Sequence, residues 1–154
     1  MAGRLQAELR KKKPFEVVEQ EVFLNLVKTA EYLAHPFNQL FKKVGLSEST
    51  YNVLRILRGH GTAGVPCHEI AEQMISLDPD LTRLLDRLEV SKLVKRERSS
   101  TDRRVVIAHI TQEGLNLLSQ LDQPILELHR QQLQHLSAAK LRSLIDLLEE
   151  VRGS

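Results

Sequence analysis

The sequence predicts a mainly helical protein of the α+β class, and three observations carry that prediction. Apolar residues recur at three- and four-residue spacing through most of the chain, the period of an amphipathic helix. Residues suited to capping a helix, Ser47, Asp78, Thr111 and Ser137, stand at the head of such segments, where a short side-chain oxygen can accept from a free backbone N–H. One stretch breaks the pattern. "LVKRERSSTDRRVVIAHIT", residues 93–111, sets two apolar runs around a charged tip and reads as a β-hairpin.

From residue 15 to 44 the apolar positions Val18, Val22, Leu26, Ala30, Leu33, Phe37, Leu40 and Phe41 follow one helical face. Pro36 removes a backbone donor inside this run and predicts a kink or a split; Gly45 suits the C-cap. Ser47 opens a second helix carrying Tyr51, Leu54, Ile56 and Leu57, which stops near Gly59 and Gly61. Val65-Pro66 allows only a short extended piece. In "CHEIAEQM", Ile70, Ala71 and Met74 share a face of a brief third helix. Asp78 then reads as an N-cap with Pro79 in the first helical position. Leu81, Leu84, Leu85 and Leu88 lie inward; Arg83, Asp86 and Val90 lie opposite, with Thr82 and Arg87 on the shoulders.

In the hairpin, Leu93, Val106 and Ile110 are the candidates for the face on the core, and the tip carries Arg96, Arg98, Arg103 and Arg104. Thr111 caps a fifth helix with Leu115, Leu118, Leu121, Ile125 and Leu128, kinked at Pro124. Ser137 caps a sixth with Leu141, Leu144, Ile145, Leu148 and Val151. The first, fifth and sixth helices carry more apolar surface than so small a centre can cover, which predicts a helical dimer interface.

The 154 residues suit one domain. The net charge is only +2, but residues 79–104 hold eight Lys/Arg against five acids, whereas residues 111–154 hold four against six. Positive charge therefore gathers at the hairpin and the helix before it. Cys67 is the one cysteine, which excludes an internal disulfide framework and fits a reducing cytosol. No run approaches ~18 apolar residues, so no membrane span is expected, and the basic N-terminus has no secretory apolar core. Arg10-Lys11-Lys12-Lys13 reads as a solvated tail, with an arm grazing DNA as the sharper alternative.

A short helix, a turn, a second helix and a basic hairpin together describe a winged helix-turn-helix. A helix fits the DNA major groove, where base edges differ, and its N-terminal half meets them. A neighbouring hairpin can place an arginine in the narrow minor groove. "LTRLLDRLEVSKLVKRERSSTDRRVVIAHITQEG", residues 81–114, resembles the MarR family of bacterial transcription regulators, with weaker similarity in "GLSESTYNVLRIL" and "LSAAKLRSLIDLLEEV". The resemblance spans roughly residues 20–152.

It implies a positioning helix at 68–74, a recognition helix at 79–90, base or phosphate contacts from Thr82 and Arg83, and a wing arginine in Arg104. It also implies a wing-steadying acid in Asp102, for which Arg87 or Arg104 is the partner. With Arg87, Arg98 and Arg103 these complete the candidate DNA-binding set. The implied plan is a basic tail (1–14), an N-terminal dimerisation helix (15–44), a DNA-binding lobe (45–110) and C-terminal dimerisation helices (111–154). The expected protein is a cytoplasmic, nucleoid-associated homodimeric repressor on a near-palindromic operator.

The chain also departs from the family pattern. Ile75-Ser76 replaces a Leu-Gly type pair before the recognition helix. Lys92 stands where Gly is usual, and Pro79-Asp80 where small hydroxyl residues are frequent. Lys tolerates a left-handed C-cap less well than Gly, which puts the wing angle in question.

Competing readings stand beside these. Arg83 could simply pair with Asp86 or Asp80, and Arg104 could be a hairpin salt bridge. Lys95, Arg96 and Arg98 could be a solvated strand edge, and Arg55 and Arg58 plain surface of the second helix. The resemblance implies a small aromatic or phenolic ligand, for which Phe23, Tyr32, Phe37, Phe41 and Tyr51 are cleft candidates; ordinary core is the plainer reading. Cys67 could make a thiol-redox regulator or stay inert. No metal or cofactor is expected, since no HxxxH or CxxC pair occurs. Adjacent Cys67 and His68 point about 100° apart on a helix and cannot form a nucleophile–base pair, so an enzyme is not expected. A winged-helix module for protein assembly, without specific DNA binding, is the remaining alternative.

Overall fold

Side-chain caps open four of the helices described in this chain, and left-handed turns close some helices. The computed structural model describes residues 3–76 and 80–153. Among them the order is α1 (Arg4–Glu8), α2 (Val18–Lys43), α3 (Glu48–Gly59), a 3-10 turn (Gly61–Ala63), β1 (Val65–Pro66), α4 (Cys67–Gln73), α5 (Leu81–Val90), β2 (Val94–Arg98), β3 (Val106–Ile110), α6 (Gln112–Leu133) and α7 (Ala138–Val151).

The 26 residues of α2 run through Pro36 without a break, so of the kink or split expected there, the split does not occur. Pro36 leaves the Tyr32 carbonyl without its helical donor. One residue on, Gln132 of α6 donates to the Leu33 carbonyl at 2.9 Å, so a cross-helix hydrogen bond supports the weak turn. Helix α6 likewise continues through Pro124. Gly45, at φ +76°, closes α2: its N–H donates to Lys42 O at 3.2 Å and that of Leu46 to Phe41 O at 2.9 Å, the paired bonds of a Schellman turn. Ser47 then opens α3 by a capping box with Thr50.

Val53, Leu54 and Leu57 of α3 and Ile70 of α4 are fully buried, packed with Leu85 and Leu88 of α5 and Leu118 of α6. The strands order β1-β3-β2, all antiparallel; the expected hairpin thus gains Val65-Pro66 as a third strand. Val65, Val94 and Ala108 are the buried strand residues, with Leu93 and Ile110 packed against the core. Val106, also expected inward, is only half-buried and lies outside the core, opposite Arg98 towards the tip.

Helix α5 ends as α2 does, but without glycine. Lys92 takes φ +61°; its N–H donates to Glu89 O and that of Leu93 to Leu88 O, both at 2.9 Å. The Lys92 carbonyl accepts from the Thr111 hydroxyl at 2.7 Å, and the same hydroxyl oxygen accepts from Gly114 N–H at 3.1 Å to cap α6. A Cβ on Gly114 would lie 2.6 Å from Leu93 O, so only glycine lets α6 approach the start of the wing this closely.

The N-terminal segment, expected as a free tail, contains α1 with Leu5 buried, and Glu8 lies 4.0 Å from Lys28 of α2. At the other extreme, Val18, Val22, Phe23 and Val27 of α2 are exposed, as are Leu144, Ile145, Leu147 and Val151 of α7, a helix with no buried residue. Among the described residues no helix is long and apolar enough to cross a membrane.

A left-handed conformation is unfavourable for an L side chain by roughly 1–2 kcal/mol, part of which glycine gives back in unfolded-chain entropy. Lys92→Gly should therefore stabilise the fold by about 0.5–1 kcal/mol, read as a higher urea midpoint at unchanged slope. An unchanged or lower midpoint would show that the turn is not strained.

Candidate nucleic-acid interface

Helix α5 begins at Leu81, where the Asp80 carboxylate accepts from Arg83 N–H at 3.1 Å. The expected cap Asp78 and the expected first residue Pro79 lie outside the described residues, and the observed cap stands two residues later. Asp80, which stands where the family often has a small hydroxyl residue, is thus the residue that starts the helix. Leu84, Leu85 and Leu88 are buried as the pattern required, and Thr82, Arg83, Asp86, Arg87 and Val90 are exposed. Among the described residues no carboxylate pairs with the guanidinium of Arg83 or Arg87. Asp86, one candidate partner of Arg83, instead accepts from Arg96.

The wing turn is held by its own backbone and by two side chains. Ser99 N–H donates to Val105 O at 2.8 Å and Val105 N–H to Asp102 O at 3.0 Å. The Ser99 hydroxyl accepts from the amides of Thr101 and Asp102 at 3.2 and 3.4 Å. The Asp102 carboxylate accepts from Arg104 three times: backbone N at 3.0 Å, Nε at 3.2 Å and Nη2 at 3.3 Å. Of the two partners left open by the sequence, Arg104 is the one, and its side-chain hydrogen bonds, then its backbone one, hold the Asp102 carboxyl below the usual range. The Arg104 side chain is nevertheless 91% exposed. Arg98 donates from Nη1 to Arg103 O at 2.7 Å, which turns its guanidinium back along the wing and leaves the exposed Arg103 side chain at the tip.

Arg96 is not a solvated strand residue. Its side chain is 22% exposed and donates to Glu89 through Nε at 3.3 Å, as its backbone N–H does at 3.1 Å. Glu89 is accordingly held below its ordinary pKa. On the far face of the hairpin, His109 Nε2 sits 3.0 Å from Glu97.

A cleft of about 870 Å³ opens between α2, α3, α6 and the segment leading to α5. Phe37, Phe41 and Tyr51 line it, Phe41 stacked on Tyr51 at 4.4 Å and Phe37 against His129 at 4.6 Å. Phe23 and Tyr32, named with them from the sequence, do not reach it; they are 63% and 75% exposed. Arg58, expected as plain surface, joins α3 to α6 through two bonds to Asp122 at 2.9 and 3.0 Å. Arg55 stands 3.9 Å from the same carboxylate, inside the cleft. On the cleft rim the Asn52 side-chain oxygen accepts from Ile75 N–H at 2.8 Å.

Cys67 is half-buried at the start of α4, and burial pushes its thiol up from the ordinary value, the opposite of what a reactive thiolate needs. Among the described residues no group of three or more His, Cys, Asp or Glu gathers to hold a metal ion.

A short helix, a recognition-type helix with an arginine-bearing outer face, and an adjoining three-stranded wing define a winged helix-turn-helix protein. Comparison with known proteins narrows the class. The family described as transcriptional regulator SarA/Rot matches residues 36–121. The homoprotocatechuate degradative operon repressor of Escherichia coli is 30% identical over 125 residues, 81% of this chain and 83% of that protein. The crystal structure of a MarR transcription factor from Planctomyces limnophilus is 39% identical with a TM-score of 0.68, covering 88% of this chain and 98% of that one. Sco3205 from Streptomyces coelicolor, a MarR family regulator solved in complex with DNA, shares the fold at 23% identity with a TM-score of 0.79, covering 92% and 91%. The chain belongs to the MarR family of transcription regulators.

The Arg58–Asp122 pair predicts an acid-dependent contribution to stability. Arg58 lowers the Asp122 pKa below 3.8, so the pair stabilises the fold above that pH and the contribution is lost as pH falls through the depressed value. Asp122→Asn should unfold more readily at pH 7 and show a shallower loss of stability below about pH 4 than the unmodified protein. Parallel acid profiles for the two would remove Asp122 from the acid response.

Proposed function

We propose that the protein is a homodimeric repressor that binds a near-palindromic operator in the cytoplasm, on the nucleoid. Each protomer lays α5 in the major groove and its wing along the adjacent minor groove. The observation that carries this reading is the solvent face of α5. Thr82, Arg83 and Arg87 are exposed there beside a wing whose tip presents Arg103 and Arg104. Among the described residues the guanidinium groups of Arg83 and Arg87 have no carboxylate partner, and the Arg104 side chain is 91% exposed although it pairs with Asp102. That concentration of accessible guanidinium groups suits phosphate and base edges better than a protein partner. The dimer is supported by the uncovered apolar faces of α2 and α7, which suit a second copy of the chain. Two recognition helices then sit ~34 Å apart, one turn of DNA. The cleft against α2 and α6 suits a small, largely apolar ligand that releases the DNA.

Selection of bound sites from random DNA across salt concentrations tests the reading. The expected result is an inverted repeat with half-sites one helical turn apart and steeply salt-dependent affinity. A single half-site would overturn the dimer, and the absence of any preferred site would overturn sequence-specific binding. Arg83→Ala should alter base preference at one position per half-site, at about 1–3 kcal/mol for a lost base contact. Arg104→Ala should weaken binding to every sequence and lower the salt slope by about 1 per protomer; unchanged affinity would remove Arg104 from the interface.

A further inference from the structure

Arg96 stands apart from the other hairpin arginines. The register pairs Val94 with Ile110, Arg96 with Ala108 and Arg98 with Val106. Strand alternation therefore puts Arg96 on the same face as the buried Val94. At that height above the core the neighbour is α5. The guanidinium donates from Nη2 to Asp86 and from Nε to Glu89, and the backbone N–H of the same residue donates to Glu89. One residue of β2 is thus gripped by two carboxylates three positions apart on the shoulder of α5. Pairing with β1 braces the hairpin on its β3 side, at Ala108 and Ile107, level with Arg96 and Glu97, and leaves the outer strand β2 to be held on its α5 side by the Arg96 contact. Further towards the tip lie Arg98, Val106 and the turn carrying Arg103 and Arg104. A rotation at the base would swing Arg104 across the groove, and the Arg96 contact sits where it can prevent this.

We propose that Arg96 is a positioning residue for DNA recognition, clamping the wing to α5 through Asp86 and Glu89 so that Arg104 and Arg83 meet one duplex in a fixed relation. The clamp has a second effect. Asp86 lies on the outer face of the recognition helix, where a bare carboxylate would repel phosphate, and Arg96 offsets that charge without itself facing the DNA. A planar guanidinium with donors on several edges suits two acids at once, which an ammonium does not.

This inference rests on the DNA-binding reading above, and the experiment separates the two. Binding to the selected operator and to unrelated DNA is measured across salt for the unmodified protein, Arg96→Ala and Arg96→Lys, and for Arg96→Ala in an Asp86→Asn/Glu89→Gln background. Arg96→Ala should raise Kd for the operator about tenfold, leave Kd for unrelated DNA within about twofold, and leave the salt slope unchanged, because no phosphate contact is lost. Arg96→Lys, which keeps the charge and carries the test should Arg96→Ala fold poorly, should raise operator Kd about threefold at the same slope. In the Asp86→Asn/Glu89→Gln background, Arg96→Ala should add less than about twofold.

A slope lowered by about one per protomer would make Arg96 a phosphate contact and overturn the proposal. So would unchanged operator affinity, or an undiminished effect when both acids are already neutral. A DNA-free arm measures the wing orientation relative to α5 by residual dipolar couplings. Arg96→Ala should change it, and an unchanged orientation sinks the clamp whatever the DNA results. Failure of the unmodified protein to prefer any site would instead sink the DNA-binding reading alone.

Discussion

Much of this structure depends on the hydroxyl group of Thr111. It donates to the carbonyl of Lys92 and accepts from the amide of Gly114, so one atom joins the end of the recognition helix to the start of α6. Thr111 N–H adds a bond to Leu93 O at 3.0 Å. The last residue of the wing is thereby fastened to the first, and α6 can lie against the wing only because residue 114 has no side chain. The sequence "TQEG" is the local expression of that geometry. Thr supplies the cap, Gly the close approach, and the helix between them leads away towards the opposite end of the protomer. Any change in the direction of α6 reaches the base of the wing through this junction.

The arginines divide into those used inside the protein and those offered to solvent, and the division follows their carboxylate neighbours. Arg58 and Arg96 are each held by acids from another element, Asp122 and the Asp86–Glu89 pair, and both are less exposed than Arg104. The guanidinium groups of Arg83 and Arg87 have no carboxylate partner among the described residues, since Asp86 on the same outer face is taken up by Arg96. Arg104 falls between the two groups. Its own side chain is 91% exposed, although that of Asp102 is only 43% exposed, and ion pairs with so exposed a member contribute little. Phosphate can therefore displace or share that guanidinium at small cost, while the Asp102–backbone bond keeps the turn in shape.

The leucine pattern of α5, the capping hydroxyls of Ser47, Thr111 and Ser137, and the hairpin were legible in the sequence because each follows from local spacing. Lys92 was legible too, since a C-cap position needing a left-handed residue is a local requirement. Other features depend on partners distant in sequence. Pro36 should have kinked or split its helix by local rules, yet α2 continues, and Gln132, distant in sequence, adds a bond to the neighbouring Leu33 carbonyl. Arg58 looked like surface until α6 brought Asp122 to it. Phe23 and Tyr32 shared a helix with Phe37, but the cleft lies beyond their reach. Arg96 could have been found from alternation alone, since it is two residues from the buried Val94, but a charged residue on a core-facing register is easily taken for a solvated one. The capping role of Asp80 was not read from the sequence, because the local pattern of Asp followed by Pro pointed to Asp78 as the cap.

The cleft and the recognition helix are separated by very little chain. Met74, Ile75 and Ser76 form part of the cleft wall and lead directly towards α5, and Asn52 of α3 holds this segment through the amide of Ile75. The opposite wall is α2 and α6, the helices that extend to the uncovered apolar faces. A molecule in the cleft therefore touches both the segment that places α5 and the helices that would join two protomers. It could shift their relation only by as much as its affinity differs between the two arrangements. With Arg55 and Asp122 beside Phe37, Phe41 and Tyr51, that difference has both an apolar and a charged component. Arg55 is the flexible member, because Arg58 already holds Asp122 with the shorter, two-fold bond. A ligand bearing an anionic group would compete with Asp122 for Arg55 alone, leaving the Arg58 tie between α3 and α6 intact.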